Sequence, residues 1–294
     1  MNPNKVAIIG AGPAGIACAI QLSRYGIIPL LFERNLPGGL LKNANLVENY
    51  PGFPGGISGI SLAGKMAKQL ELAKVPVINE LVLNITYENG AYQIGTNREE
   101  YSAEIVVIAS GTIPVEWNDP GLFDGLPGKV FYEVYPLREI RDATVAIIGA
   151  GDAAFDYALQ MALYNKVIIF NRSDRVRCLP LLWQRAKCVE QISYYENYLL
   201  TSVKADPSTS CLKLLFQTKN EIESRYADYI IFAVGRKPEL SFADPGFLTQ
   251  IERLKQERKL YLVGDVKNDL LRQASISAGD GIRAAMEIYL NESH

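Results

Sequence analysis

The feature that most constrains the fold is a seven-residue sequence, Val-Ala-Ile-Ile-Gly-Ala-Gly, that occurs twice, at residues 6–12 and 145–151. Each copy is an apolar β-branched run with the length of a buried parallel strand, followed by glycines and a helical pattern. A second apolar run follows each copy, at residues 28–32 and 167–170. Both copies predict a βαβ unit, so we expect an α/β protein with two Rossmann-like dinucleotide-binding domains.

The glycines of the repeat have separate tasks in such a turn. Gly10 allows the tight turn, Gly12 lets backbone amides approach a pyrophosphate, and Gly15 lets the helix pack closely on the strand. One motif alone is weak evidence, but two copies in the same strand, turn and helix context predict two nucleotide sites. The residues at the same offsets of the second copy are Gly149, Gly151 and Ala154.

The residues after the second strand of each copy distinguish the two sites. Glu33 is placed where a carboxylate can accept hydrogen bonds from both ribose hydroxyls of an unphosphorylated adenosine, which suits FAD. The second copy ends instead in Asn171-Arg172, with Arg175 and Arg177 close behind. Guanidinium groups suit a 2′-phosphate, and the second site is therefore predicted to bind NADPH.

Residue counts exclude several other classes of protein. The one histidine of the 294 residues is His294, so a histidine-based triad or metal site is excluded, and no metal is expected. The 30 basic and 32 acidic residues form no block of like charge, so nucleic acid is not an expected partner. The amino terminus lacks the features of a cleavable signal, and we expect a cytoplasmic protein without membrane segments.

Six further segments, together with the two turns, resemble the low-molecular-weight thioredoxin reductase family and its relatives, the thioredoxin reductase-like ferredoxin–NADP reductases. The likeness covers nearly the whole chain. The segments are residues 38–40, 47–52, 108–111, 235–238, 263–265 and 272–275.

The resemblance implies an FAD domain made of residues 1–113 and 240–294, with an NAD(P) domain of residues 114–239 inserted, and a homodimer. Turn-rich stretches at residues 111–121 and 235–245 support these cuts. The implied FAD contacts are Gly10, Gly12, Pro13, Ala14, Gly15, Glu33, Arg34, Gly39, Leu40, Asn49, Ser110, Gly111, Gly264, Asp265, Arg272, Gln273 and Ala274. The implied NAD(P) contacts are Gly149, Gly151, Asp152, Ala153, Ala154, Asn171, Arg172, Arg177 and Gly235.

Roles for some of these residues follow from the same resemblance. Asp265 is expected to bond the ribityl chain or the pyrophosphate region, and the helix that begins near Gln273 to direct its positive end at the flavin. Asn49 and residues 38–39 are expected at the other edge of the ring. The alternatives are that Asp265 is an ordinary turn residue and Arg272 a surface charge.

The dithiol of thioredoxin reductases is missing. The positions of its two cysteines hold Tyr132 and Tyr135, and a phenol cannot carry out thiol–disulfide exchange. We hypothesise that one of these tyrosines stacks on the flavin; the alternative is that both are ordinary packed tyrosines. The likeness to the ferredoxin–NADP reductase branch is partial, because the carboxy-terminal extension of that branch is not found in residues 1–294.

The four cysteines have no Cys-x-x-Cys spacing, and reduced thiols are the default interpretation. Cys18 lies on the first helix, where a small residue packs against the sheet. Cys178 and Cys188 lie ten residues apart beside the predicted phosphate site, and a redox pair there is the less favoured alternative. The fourth cysteine is Cys211.

The cofactors predicted are thus FAD and NADPH, with NADH left open because Ser173 replaces one arginine of the family's phosphate-binding motif. The leading hypothesis is hydride transfer between nicotinamide and flavin, with electrons passing to or from a separate acceptor such as ferredoxin or flavodoxin. The alternatives are reduction of a quinone, a small disulfide or oxygen, and a non-catalytic, flavin-binding regulatory subunit.

Overall fold

The computed structural model describes residues 4–117, 126, 128–206 and 208–292. The strands found there are β1 Asn4–Ile9, β2 Leu30–Phe32, β3 Val77–Ile78, β4 Val82–Glu88, β5 Ala91–Thr96, β6 Glu100–Ile108, β7 Thr112–Pro114, β8 Val130–Phe131, β9 Thr144–Ile148, β10 Lys166–Asn171, β11 Ile192–Glu196, β12 Leu199–Ala205, β13 Leu212–Gln217, β14 Ile222–Ala227, β15 Tyr229–Phe232, β16 Arg236–Pro238 and β17 Leu260–Leu262. The α-helices are α1 Pro13–Arg24, α2 Gly59–Leu72, α3 Asp152–Met161, α4 Pro180–Lys187, α5 Pro245–Gln256 and α6 Ala274–Glu292. Single 3-10 turns cover Gly39–Asn43, Tyr135–Leu137 and Gly264–Val266.

The chain divides into two compact units. The first contains Met1–Lys42, Val47–Ile113 and Lys237–His294, and the second contains Asn43–Leu46 and Pro114–Arg236. The boundary between Arg236 and Lys237 lies three residues before the expected cut at 239/240. The segment 43–46, expected in the first domain, belongs to the second unit, in which Asn43 Oδ1 accepts a hydrogen bond from the Tyr135 amide at 3.0 Å and the Asn45 amide donates to Asp156 at 2.8 Å. Of the turn-rich stretch 111–121, residues 118–121 lie outside the described residues.

The first unit is built on a mixed seven-stranded sheet. Strands β3, β2, β1, β6 and β17 run parallel. The sheet continues from β6 through β5, which pairs antiparallel with β6, to β4, which pairs antiparallel with β5. Helix α5 packs on one face through Phe247 and Leu254. Helices α1 and α6 approach each other closely, since a Cβ at Gly281 would lie 2.0 Å from the Ala14 carbonyl oxygen.

The second unit repeats this architecture with a five-stranded parallel sheet in the order β11-β10-β9-β15-β8. Both faces of β9 are buried: Val145 and Ile147 pack with α3, whereas Ala146 and Ile148 pack with the antiparallel meander β12-β13-β14. Burial on both sides explains why the repeat reads as a continuous apolar run rather than an alternating one. The predicted α/β fold with two βαβ units is confirmed.

Local signals fix where the helices begin. Asp244 caps α5 by accepting a hydrogen bond from the Phe247 amide at 2.6 Å, and Ser58 caps α2 by accepting one from Ser61 at 3.2 Å. Helix α1 begins with Pro13, whose missing N–H has no partner to lose in the first turn. Within the described ranges, none of the helices is both long enough and apolar enough to span a membrane.

Candidate functional site

The first glycine turn joins β1 to α1. Gly10 has φ +103°, and a Cβ there would lie 2.5 Å from the Ala109 carbonyl oxygen on the neighbouring strand connection. A Cβ at Gly15 would lie 1.8 Å from the Gly10 carbonyl oxygen. Gly12, by contrast, has no atom within 4 Å of the position of its missing Cβ. Gly10 and Gly15 are therefore required by the fold, whereas Gly12 leaves open space at the amino terminus of a helix, where an anionic group is favoured.

A second loop of the first unit lies directly against this turn. The Gly38 amide donates to the Ala11 carbonyl at 2.8 Å. Gly38 and Gly39 both have positive φ, of +110° and +56°, and a Cβ at Gly39 would lie 3.1 Å from the Gly12 Cα. Leu40 follows on the 3-10 turn Gly39–Asn43. The structure thus brings the predicted residues 39–40 together with the Gly12 opening.

Glu33 directly follows β2, beside the same turn, and is buried. Its Oε2 accepts a hydrogen bond from the Ala11 amide at 2.9 Å, and its Oε1 accepts one from the Asn35 amide at 2.9 Å. These two contacts hold the carboxylate in one orientation, and each oxygen keeps a further lone pair for a ligand hydroxyl. Arg34, which follows, is exposed.

The carboxyl-terminal stretch of the first unit reaches the turn through α6. Gly264, with φ +73°, would place a Cβ 2.9 Å from the Ala14 Cβ, so the segment that carries Asp265 lies against α1. Asp265 Oδ1 accepts a hydrogen bond from Ser277 Oγ at 2.9 Å. The predicted start of a helix near Gln273 is confirmed, because α6 begins at Ala274.

Two other predicted residues meet near the start of α6. Asn49 Nδ2 donates to Gln273 Oε1 at 2.7 Å, although the two residues are 224 positions apart. Arg272, the residue before Gln273 in the chain, is half-buried, and its contact with FAD stays a prediction. Ser110 Oγ donates to the Glu239 carbonyl at 2.6 Å, and the Gly111 carbonyl accepts from the Glu239 amide at 3.0 Å.

The second glycine turn repeats the geometry of the first. Gly149 has φ +134°, and a Cβ there would lie 2.3 Å from the Ala233 carbonyl oxygen, as Gly10 does with Ala109. Gly151, like Gly12, has nothing within 4 Å of its missing Cβ. Ala154 is buried at the position of Gly15, while Asp152 and Ala153 are exposed in the first turn of α3.

The arginine loop follows β10 and comprises residues 171–177. Arg172, Arg175 and Arg177 are exposed, whereas Asn171 is buried with 5% of its surface accessible. The Arg177 amide donates to the Ala150 carbonyl at 2.9 Å, so the loop returns to the glycine turn. The structure therefore brings the Arg177 backbone to the turn, and the contact of its side chain with a nucleotide stays a prediction. The contact of Asn171 with a nucleotide stays a prediction.

Gly235 has φ +126° and is exposed where the chain leaves the second sheet. Its carbonyl accepts a hydrogen bond from the Val115 amide at 3.0 Å. The strands β7 and β16 pair with each other at these chain crossings. A direct contact of Gly235 with NAD(P) stays a prediction.

Tyr132 and Tyr135 are engaged within the second unit. The Tyr132 hydroxyl accepts a hydrogen bond from the Trp117 amide at 3.2 Å, and its ring lies 5.6 Å from that of Phe232. The Tyr135 ring contacts the guanidinium of Arg138 at 4.2 Å. These contacts favour the alternative of ordinary packed tyrosines, and the flavin-stacking hypothesis stays a prediction.

Glu133, between the two tyrosines, forms an ion pair with Arg236 and accepts a hydrogen bond from the Tyr157 hydroxyl at 3.2 Å. Burial, followed by the charge of Glu133, raises the pKa of Tyr157. The phenol therefore stays protonated and can keep donating to Glu133. Sequence reasoning missed this cluster, because its members are separated by 24 and 103 positions.

A second missed residue is Asp280, on the second turn of α6. Its Oδ2 accepts from the Gly264 amide at 3.1 Å and from Asn268 Nδ2 at 2.7 Å, and its Oδ1 pairs with Lys267. Burial raises the pKa of this carboxyl, but the hydrogen bonds from Asn268, Lys267 and the Gly264 amide together lower it below its ordinary value. The charged Asp280 thus positions the turn that carries Asp265. Its spacing of 16 residues from Gly264 matches no local motif.

The residues present fit two dinucleotides. Each unit has a strand, a glycine turn and a helix in that order. The turn leaves open space at its second glycine, Gly12 or Gly151, which lies at the amino terminus of the helix. The first unit adds the oriented carboxylate of Glu33, and the second adds exposed guanidinium groups. Fold and site together define a protein with two dinucleotide-binding units.

Comparison with known proteins identifies the family. The sequence profile of the pyridine nucleotide-disulphide oxidoreductase family matches residues 4–281. The chain belongs to this family, whose thioredoxin reductase-like members are FAD-dependent enzymes that use FAD and NADPH.

Individual relatives match over nearly the whole chain. Thioredoxin reductase 2 of Arabidopsis thaliana is 30% identical over 321 residues, covering 99% of this chain and 83% of the relative. Thioredoxin reductase of Chlamydia pneumoniae is 28% identical, with 98% of each chain covered. The crystal structure of Lactococcus lactis thioredoxin reductase matches with a TM-score of 0.86 at 27% identity, covering 98% of both chains.

Proposed function

We propose that this protein is an FAD-dependent NADPH oxidoreductase that exchanges electrons with a separate acceptor, without a dithiol of its own. The observation that carries the proposal is the pair of glycine turns, each with an opening at Gly12 or Gly151 where a Cβ would meet nothing within 4 Å. FAD, when bound, supplies two-electron exchange with a nicotinamide and one-electron exchange with a carrier. The side chains of this chain bind and orient the two nucleotides.

Glu33 supports FAD in the first unit. Its two oxygens are held by the amides of Ala11 and Asn35, which leaves the carboxylate oriented for the ribose hydroxyls of an adenosine without a 2′-phosphate. A 2′-phosphate at the same place would meet a like charge. Exposed Arg172 and Arg177 support the opposite preference in the second unit, where a phosphate would meet guanidinium groups.

The environment of the cysteines supports turnover without protein thiols. Burial raises the pKa of Cys18 to about 12, and burial followed by the charge of Asp152 raises the pKa of Cys178. Both thiols are therefore weak nucleophiles at neutral pH. Cys211 Sγ donates to Asp228 Oδ1 at 3.4 Å.

A disulfide between Cys178 and Cys188 does not fit the geometry. Helix α4 lies between them, and the rise of about 1.5 Å per residue separates Leu179 from Cys188 by about 13 Å. Cys178 is one residue before Leu179, so its Cα stays beyond the roughly 7 Å that a disulfide spans. The less favoured redox pair is thus wrong.

A one-electron carrier protein such as ferredoxin or flavodoxin is the proposed partner, because electron transfer from a flavin to such a carrier needs no protein thiol. A second candidate is a disulfide reductase that uses thiols of its partner, which the family match favours. We also propose a homodimer, as the family resemblance implies.

The test is anaerobic reduction of the purified yellow protein. NADPH should bleach the flavin absorbance within seconds, and the reduced protein should be reoxidised by ferredoxin or flavodoxin in a panel that includes a quinone, a low-molecular-weight disulfide and oxygen. A variant in which Cys178, Cys188 and Cys211 are all serine should turn over as the wild type does. Persistent colour with both NADPH and NADH would contradict the proposal in favour of a non-catalytic flavoprotein. Reoxidation by the disulfide alone would favour the second candidate.

A further inference from the structure

The arginine loop is held at its start by one side chain. Asn171 Nδ2 donates to the Arg175 carbonyl at 3.0 Å, and its Oδ1 accepts from the Ser173 amide at 3.2 Å. The side chain thus ties two backbone positions of the loop to the end of β10. Because Asn171 is 5% exposed, these hydrogen bonds are shielded from competition with water.

The far end of the loop is held by the nucleotide turn itself. The Arg177 amide donates to the Ala150 carbonyl at 2.9 Å, and the Leu179 amide donates to Asp152 Oδ1 at 2.7 Å. The loop therefore has its end fixed by the second glycine turn and its start fixed by Asn171. Arg172 and Arg175 lie between these two fixed points in the chain, and both are exposed to solvent.

One group outside the loop also contacts the Asn171 side chain. Asn171 Nδ2 also donates to the Tyr194 hydroxyl at 2.9 Å, 23 positions away on β11. The Tyr194 ring is in turn fixed by edge contacts with Trp183, at 5.0 Å between ring centroids, and by Phe155 at 6.0 Å. The hydroxyl oxygen therefore occupies a defined position and leaves the Asn171 amide a single orientation.

We propose that Tyr194 is a positioning residue that sets the preference for a 2′-phosphorylated nucleotide, acting through Asn171 on the arginine loop. The inference rests on the proposed nucleotide site of the second unit. A phosphate bound by several guanidinium groups requires those groups to be ordered together, and a preorganised loop lowers the entropic cost of binding. A nucleotide without the 2′-phosphate does not need the loop, because its own phosphates lie at the Gly151 opening.

The test uses two probes that differ only in the 2′-phosphate, namely 2′,5′-ADP and 5′-AMP, titrated into the flavin-containing protein by calorimetry. Tyr194→Phe removes the hydroxyl and keeps the packed ring. We expect 2′,5′-ADP to bind about two- to tenfold more weakly to this variant, from the loss of one buried hydrogen bond. Binding of 5′-AMP should change by less than twofold, and KM for NADPH should rise while kcat stays constant.

A matched control lies in the first unit. There the Tyr261 hydroxyl accepts a hydrogen bond from Asn291 Nδ2 at 3.2 Å, the same chemical contact in the unit that does not contain the arginine loop. Tyr261→Phe should leave the affinity for both probes unchanged. A cycle with Asn171→Ala tests the route, since the double variant with Tyr194→Phe should discriminate no less than Asn171→Ala alone.

The outcomes separate this inference from the proposed function. A wild-type protein that binds neither probe would overturn both. Binding of 2′,5′-ADP by the wild type with an unchanged ratio of affinities in Tyr194→Phe would overturn the positioning role alone. An equal loss of both probes in Tyr194→Phe, with thermal unfolding as the check on folding, would also overturn it, because it would show a general structural effect.

Discussion

Replacing Gly10 and Gly12 by alanine, one at a time, separates the two tasks of the first turn. The two positions are two residues apart in the same loop, and each substitution adds one methyl group. At Gly10 the backbone has φ +103° and the new Cβ would lie 2.5 Å from the Ala109 carbonyl oxygen. At Gly12 the backbone has φ −76°, which alanine adopts without strain, and no atom lies within 4 Å of the position of the new Cβ.

The magnitudes follow from these geometries. For Gly10→Ala, the left-handed backbone costs about 1–3 kcal/mol and the overlap with Ala109 about as much again, so the free energy of unfolding should fall by about 2–6 kcal/mol. For Gly12→Ala, the stability of the flavin-free protein should change by less than about 0.5 kcal/mol. Its methyl group, however, occupies the opening that we propose as the pyrophosphate site. Loss of one charged hydrogen bond there weakens FAD binding by about 10- to 100-fold.

The assay has two parts. Urea unfolding of the flavin-free proteins gives the stability, and fluorescence titration with FAD gives the affinity. We expect Gly10→Ala to lower the stability measured by urea unfolding. Gly12→Ala should lower only the affinity for FAD. If Gly12→Ala bound FAD as tightly as the wild type, the opening would not be the pyrophosphate site. Equal loss of stability in both variants would refute the separation of tasks.

Three further changes probe single carboxylates. Burial raises the pKa of Asp156 to about 6, and its Oδ2 accepts a hydrogen bond from the Asn45 amide at 2.8 Å. Because the charged form is disfavoured in the folded state, the free energy of unfolding should fall by up to about 3 kcal/mol as the pH rises from about 4 to about 6. Urea unfolding of Asp156→Asn should not show this fall. Glu33→Gln should weaken FAD binding about 10-fold, because an amide group then faces the Ala11 N–H or the ribose, and an unchanged FAD titration would contradict the role of the carboxylate. Asp280→Ala should cost about 1–3 kcal/mol by leaving buried donors without an acceptor, which thermal unfolding would detect as a lower midpoint.

Much of the fold could be predicted because its signals are local. The identical heptapeptides indicate strands buried on both faces, and β1 and β9 begin those βαβ units as expected. The glycine offsets predicted which positions tolerate no side chain, since that requirement arises within one strand, turn and helix. The predicted sites of Gly10 and Gly149 share the same close approach to the carbonyl of a neighbouring strand.

Other features could not be predicted because their causes are distant in sequence. The segment 43–46 belongs to the second unit through hydrogen bonds to Tyr135 and Asp156, which no pattern in the flanking residues indicates. The family resemblance implied that Asn171 contacts a nucleotide. In the structure the Asn171 side chain is buried, and its Nδ2 donates a hydrogen bond to the Tyr194 hydroxyl on a different strand.

The amino-acid sequence by itself determined the two nucleotide-binding turns and the pairing of an acid with one and arginines with the other. It also showed that the chain has no Cys-x-x-Cys dithiol and no histidine-based triad. These properties depend on residue types at short, fixed spacings, where backbone geometry leaves few choices. Only the tertiary structure decided which groups orient the site residues, such as Asp280 at the Gly264 turn and Tyr194 at Asn171. Such contacts depend on how sheets and helices are brought together, and a hydrogen bond formed across that distance leaves no periodic trace along the chain.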